Sequence, residues 1–480
     1  MRVLFVFMLL LFSPVLFAGA PVQPDMSRQQ ATQRLQRFVS SVGENPGADF
    51  VPVVRAQFTP DFIASSGAER LAKMLKRMSN DGFGHLESID KVRWQPDKAR
   101  WAYSVHNADG DPATLYFKYD PAQGRRISDV RIIMGERLPV PKVAEAQFAD
   151  TILAHLKKTP DFSGTVVVAK DGKPIVSYAA GLADRASGRA MTPDTPINLG
   201  SVNKMFTGTL VAQLVEAGKL HWADKVGKYL PDYPNKTVRD QVTLAMLMTH
   251  TSGVPSYWNA TYEKRRKHLR NQQDYLDTFD RQPLEFPPGT QWAYSNGGPV
   301  ILGRILEVVT GENYYDYVRE HLYRPLGMTH TDSYRRDMGN PPFAIGYMRP
   351  EGAGPEASLV PNSNWLGVVG SAAGGGYASA PDMLKFVMAL QDGSLLKPAT
   401  LAMMWADTRV GGHSTGYGYL VGTGKLNGHR RIGHSGGAPG VNAMVHFFPD
   451  DGYAVIVLSN HERGAQQLAA WIEELITRNL

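Results

Sequence analysis

A serine and a lysine three residues apart can act as a nucleophile and its base, and "NLGSVNKMF", residues 198–206, offers that pair as Ser201 and Lys204. On a helix such residues share a face, with about 5–6 Å between Cβ atoms. A buried or crowded lysine loses its proton and can then draw one from a hydroxyl. The spacing recurs as Ser88 with Lys91 and as Ser394 with Lys397. Ser88 lies in a strand-like stretch, where residues three apart face opposite sides. Lys397 precedes Pro398, which biases it away from helix. Ser201 instead follows Gly200 and opens a helical pattern, with Phe206, Leu210, Leu214 and Val215 at spacings of three and four and Gly218 as a stop. A serine there sits in positive backbone potential, and its own N–H can help hold an oxyanion.

Two further motifs follow in order. "AYSNGG" supplies Tyr294-Ser295-Asn296 after the turn-like "FPPGTQW", and "GHSGGAPG" supplies His434-Ser435-Gly436-Gly437 before a terminal hairpin. Alone, the first reads as turn residues ahead of a helix and His434 as a strand histidine. In this order with Ser201 they resemble the serine β-lactamase and penicillin-binding-protein superfamily, where S-x-x-K is joined by Y-x-N and then by K-T-G or H-x-G. The class C-like branch, with its D,D-peptidases and esterases, is the nearer likeness. "LAMLMTHTSGVP", "LYRPLGM" and "GGGYASAPDMLKF" are similar to it as well, and the resemblance covers about 143–480.

The resemblance implies roles. Ser201 matches the nucleophile, and Lys204 and Tyr294 match the proton-transfer groups. Asn296 matches the residue that orients the lysine and the substrate amide. His434, Ser435 and Gly436 match the strand edge along which substrate lies, and the N–H groups of Ser201 and Gly437 match the oxyanion hole. No cofactor or metal is implied. H-S-G in place of K-T-G exchanges a permanent cation for an imidazole that titrates near about 6.5. That shifts the expectation toward an esterase or a D-amino-acid or D,D-peptidase, acting on a small molecule or peptide, and away from a β-lactamase. His250 reads as a structural loop residue lining the site. Tyr257 and Trp258 read equally as a stacking surface for substrate and as packing.

Other chemistries fit less well. Gly433 to Gly437 match G-x-S-x-G, but that elbow needs a helix directly after it, and here a loop and hairpin follow. The 13 histidines are scattered, with no H-E-x-x-H. A net charge of +6 is mild for 480 residues and no nucleic-acid module accompanies it. A non-catalytic ligand- or peptidoglycan-binding protein of the same fold is the alternative; a lost nucleophile or lysine would be its mark.

The elements that position these residues are legible in outline. Arg2 followed by an apolar run to Phe12 and by Ala18-Gly19-Ala20 reads as a signal peptide over 1–20, and hence an exported, periplasmic or extracellular protein with no lasting membrane anchor. Without cysteine the core is stabilised by packing alone. Residues 21–134 read as a small α+β domain, loosely similar in element order to nuclear-transport-factor or cystatin domains. It has a helix carrying Ala31, Leu35, Phe38, Val39 and Val42, then a second helix capped by Ser66 and Glu69, then strands "RWAYSV" and "LYFKY" about an "NADGD" turn. "GERLPVPK", 135–142, reads as a linker. Residues 143–480 read as the hydrolase domain, α+β, with an antiparallel sheet built from both ends of the region, flanked by helices, around a helical insertion. A helix over 144–158, a hairpin at Asp171-Gly172 and a last helix over 463–478 are expected.

Overall fold

The computed structural model describes residues 23–44, 49–79, 83–107, 112–134, 140–350, 358–462 and 464–480. Residues 1–20, expected to be a signal peptide, the expected turn after Asn107 and most of the 135–142 stretch lie outside the described residues. The chain divides into two compact units, one of 1–63 with 71–134 and one of 64–70 with 135–480.

In the first unit, α1 (Arg28–Gly43) starts in a capping box in which Ser27 and Gln30 exchange hydrogen bonds. After α2 (Val51–Gln57) comes α3 (Pro60–Ser66), and α4 (Ala68–Met78) follows directly, residues 64–70 at their junction being grouped with the second unit. Ser66 therefore closes α3 and does not cap α4 as expected. Gly67, at φ +81°, makes the break between the helices. A four-stranded antiparallel meander follows, β1 (Leu86–Gln95), β2 (Arg100–Asn107), β3 (Pro112–Asp120) and β4 (Arg126–Met134). Leu35 and Phe38 of α1 are buried, and Phe38 meets Phe117 of β3 edge to face at 5.2 Å.

The second unit opens with α5 (Phe148–Leu156), shorter than expected because Glu145–Gln147 form a 3₁₀ turn. Strands β5 (Gly164–Lys170) and β6 (Lys173–Ala180) meet at Asp171 and Gly172, with φ +48° and +75°. Two positive φ values make the primed turn that matches strand twist. From the far end come β7 (Gly422–Leu426), β8 (His429–Ala438), β9 (Val441–Phe448) and β10 (Tyr453–Ser459). The sheet order is β7-β8-β9-β10-β5-β6, antiparallel throughout, so both ends of the unit do share one sheet.

Both faces of that sheet are covered. Val166 and Val168 pack with Phe148, Ile152 and residues of α8 (Ala465–Asn479), among them Ile472. Val167 and Ile456 face the larger core, with Phe206 and Leu210 of α6 (Lys204–Glu216). Burying one such side chain is worth about 1.5–3 kcal/mol. Since side chains alternate, a one-residue slip would exchange the two faces. Helix α6 is buried almost all round, from Lys204 to Ala212, so its apolar pattern is not a single stripe. It ends before Gly218, at φ +70°.

Candidate active site

Ser201 lies in a 3₁₀ turn, Gly200–Asn203, that runs into α6. The nucleophile candidate is thus one turn ahead of the helix, and Lys204 is its first α-helical residue. Because α6 is central, Lys204 is 0% exposed. Its Nζ lies 3.1 Å from Ser201 Oγ, 2.7 Å from Asn296 Oδ1 and 2.6 Å from Ala373 O. Burial lowers its pKa well below the usual lysine value. The carbonyl of Ala373 only accepts. Asn296 turns its Nδ2 to Ser256 Oγ at 3.3 Å, leaving Oδ1 to accept from the lysine. In the neutral amine these two oxygens use both N–H bonds, and the lone pair is left facing the Ser201 hydroxyl. Sequence reasoning found Asn296 but not Ala373, whose carbonyl comes from a loop and carries no side-chain signal.

Asn296 occupies the N-cap of α7 (Gly297–Thr310) yet makes no capping bond. A side-chain cap is worth about 1 kcal/mol; here Asn296 uses its oxygen on Lys204. Ser295 accepts from the Gly297 N–H at 3.0 Å in its place, and donates to Pro255 O at 3.2 Å. The Ser295 N–H donates to His250 Nδ1 at 3.3 Å. His250 is buried at φ +59°, packs its ring 4.5 Å from that of Tyr294, and leaves its Nε2 without a hydrogen-bond partner. Burial lowers its pKa well below the usual value, so it is neutral. His250 therefore lines the site and fixes the loop that carries Tyr294.

Tyr294 is 38% exposed as a residue, and its hydroxyl is directed toward Ser201. Desolvation pushes the phenol up, with the Ser201 bond opposing. Lys204 Nζ is 4.8 Å from the ring centre. Serine, lysine, tyrosine and asparagine thus form one connected cluster.

Strand β8 closes the site from the other side. Its pairing with β7 stops at Gly422↔Gly433, while its pairing with β9 continues through Ala438↔Val441. His434 to Ala438 therefore present an edge that β7 leaves open. Two glycines let this edge approach the nucleophile. A Cβ on Gly200, at φ +49°, would stand 2.8 Å from Gly437 N, and one on Gly436 would stand 2.0 Å from Leu199 O. The Ser435 side chain is exposed. It sits mid-strand, which is incompatible with the nucleophile elbow that G-x-S-x-G would need.

His434 departs from expectation. It is 6% exposed, and its Nδ1 lies 2.6 Å from Ser435 O. A carbonyl only accepts, so Nδ1 carries the proton. Nε2 then accepts from the Tyr417 hydroxyl at 2.7 Å. Burial, and secondarily the charge Lys204 would carry, push the imidazole down to about 3. The titratable cation near neutral pH expected here is instead a neutral, fixed tautomer. Tyr417 was not found from sequence; it precedes β7 at the turn-off by Gly422, 17 residues before its partner.

A cavity of about 60 Å³ adjoins Ser201, lined also by Asn296, Tyr257, Trp258, Tyr275 and Arg336. Tyr257 is buried against Tyr262 and Tyr275, whereas Trp258 is 40% exposed.

The family model described as Beta-lactamase matches residues 149–476. Penicillin-binding protein 4* of Bacillus subtilis is 28% identical over 331 residues, covering 66% of this chain and 72% of that protein. The crystal structure of a penicillin binding protein from Bacillus halodurans superposes with a TM-score of 0.61 at 31% identity, covering 68% of this chain and 98% of that one. D-amino acid amidase from Ochrobactrum anthropi, at 24% identity and a TM-score of 0.59, covers 69% of this chain and 99% of that one and shares the fold. From Ser201 through the terminal hairpin, the chain belongs to the beta-lactamase family.

Proposed function

We propose that this protein is a serine hydrolase that cleaves an ester or amide through an acyl-enzyme on Ser201. The observation that carries the reading is Lys204, a fully buried amine 3.1 Å from Ser201 Oγ with both its other contacts to oxygen acceptors. Kept neutral by burial, it takes the Ser201 proton as Oγ attacks the carbonyl carbon. The N–H groups of Ser201 and Gly437 hold the oxyanion. Tyr294 passes the proton to the departing oxygen or nitrogen, the C–O or C–N bond breaks, and the acyl group remains on Ser201. Water activated by the same groups then releases it as a carboxylic acid. An extended substrate pairs with the open edge of β8.

Family membership, the penicillin-binding relatives and the fold shared with a D-amino acid amidase support hydrolysis of an ester or amide, with D-amino-acid amides, D,D-peptides and simple esters as the substrates to try first. Labelling with a fluorophosphonate tests the reading: a single adduct on the peptide carrying Ser201, absent in Ser201→Ala, is expected. A folded protein that reacts at another serine, or at none, overturns it.

A further inference from the structure

The cavity beside Ser201 contains a cation that no step above uses. Arg336 follows a two-residue strand, Thr331–Asp332, and lines the same cavity as the nucleophile. Its backbone N–H donates to Val368 O at 2.7 Å. In its side chain, Nη2 donates to Gly367 O and Nη1 reaches Tyr377 Oη at 3.4 Å. Nε is buried and has no hydrogen-bond partner. Among the described residues no carboxylate pairs with it; neighbouring Asp337 instead binds Arg335 at 2.7 Å.

A guanidinium has five donors and keeps its charge throughout the working pH range. Placed among Tyr257, Tyr262 and Tyr275 without a counterion, it costs desolvation that carbonyls offset only in part. A buried charged donor without an acceptor calls for an explanation, and a missing ligand supplies one. Its position fits. A Cβ on Gly375 would lie 3.9 Å from Arg336 Nη1, and the Gly375 N–H donates at 3.2 Å to Gly200 O, one residue before the nucleophile. The cavity lining includes Ser201 and Gly437 but neither Tyr294 nor His434. It therefore lies away from the group that protonates the leaving atom, on the acyl side. His434, kept neutral by burial, supplies no charge for a substrate anion.

We propose that Arg336 recognises a carboxylate on the acyl portion of the substrate, so that the enzyme selects acidic acyl groups. This rests on the hydrolase reading above, and its test separates the two. The probes are the p-nitrophenyl half-ester of adipic acid, anionic at its far end, and the methyl ester of the same compound, which is neutral. Wild type is expected to favour the anion in kcat/KM. Arg336→Gln should raise KM for the anionic ester by about 10- to 100-fold, the scale of one charge-assisted pair, with kcat for the neutral ester little changed. Arg336→Lys should restore part of the preference. Equal losses on both esters in a folded Arg336→Gln protein would make Arg336 structural and overturn the proposal. Binding of monomethyl adipate to Ser201→Ala, with and without Arg336→Gln, supplies a readout independent of turnover. Binding abolished by Arg336→Gln upholds the anion site even if wild type hydrolyses neither ester, in which case the hydrolase reading falls alone. Binding unchanged by it overturns the anion site.

Discussion

Ser88 in the first unit is surrounded by more familiar catalytic side chains than Ser201 in the second. Ser88 Oγ donates to Asp90 Oδ1 at 2.6 Å, His106 Nδ1 lies 3.2 Å from Ser88, and Asp90 Oδ2 lies 2.8 Å from the same nitrogen. Serine, histidine and aspartate are all present, and Lys91 is three residues on. Yet serine and aspartate address one ring nitrogen, whereas a relay needs them on opposite ones. The His106 and Asp90 side chains are 37% and 43% exposed, so water competes for every bond. Among the described residues, no acid lines the cavity beside Ser201. Ser201 has a lysine removed from water, with two protons already committed. The difference teaches that dehydration and direction, rather than the roll of residue types, make a serine reactive.

The largest test of that contrast exchanges the serines. Ser201→Ala should lower hydrolysis by at least about 10⁴-fold, while Ser88→Ala should leave it within about twofold. Comparable losses in steady-state assays of the two variants would erase the distinction. Next come the groups proposed to make Ser201 reactive. Lys204→Ala and Tyr294→Phe should each reduce kcat by on the order of 10²–10⁴-fold. The double variant should lose far less than the product of the two losses, because both serve one proton path. Multiplicative losses in the same assay would show independent roles. The acid limb of the kcat/KM profile should lie well below the usual lysine pKa, since activity needs the neutral amine.

A smaller effect is expected at His434. Its folded pKa, about 3, lies below the ordinary 6.5. Below pH 6.5 the unfolded chain therefore binds a proton that the folded chain excludes. Stability should be retained above that pH and fall toward pH 3, by up to about 1.4 kcal/mol per unit for this one group. Urea midpoints at pH 7 and 5 should differ less in His434→Gln than in wild type; an unchanged difference would mean that His434 titrates normally. The smallest effect belongs to the exposed cluster. Asp90→Asn should alter stability by under about 1 kcal/mol, as for other exposed ion pairs, measured by thermal melting, and hydrolysis not at all.

What could be read from sequence was local. Ser201, Lys204, Tyr294 and Asn296 stand in short motifs, and their convergence at Lys204 Nζ follows the expected grouping. The sheet from both ends was legible because Asp171-Gly172 is a hairpin signal and the terminal runs are β-rich and apolar almost throughout, as strands buried on both faces are. Features set by distant neighbours were not legible. The state of His434 depends on burial and on Tyr417, and no pattern links the two. Arg336 looks like half of a basic pair, Arg335–Arg336, until one partner is seen bound to Asp337 and the other turned inward. Ser66 followed a capping pattern correctly, but Gly67 let the previous helix use it first.

The half-covered strand β8 carries a consequence for selectivity. From His434 to Ala438, β8 has a strand partner on one side alone, and on the other an extended backbone is the shape that could pair with it. A helical or tightly folded chain offers no matching ladder of N–H and C=O groups there. If substrate pairs there as proposed, the edge would sort ligands by shape before any side chain is read, favouring free ends and slack loops over compact domains. Being short, rich in glycine and buried at His434 and Gly436, it is also a poor template for sheet-to-sheet aggregation.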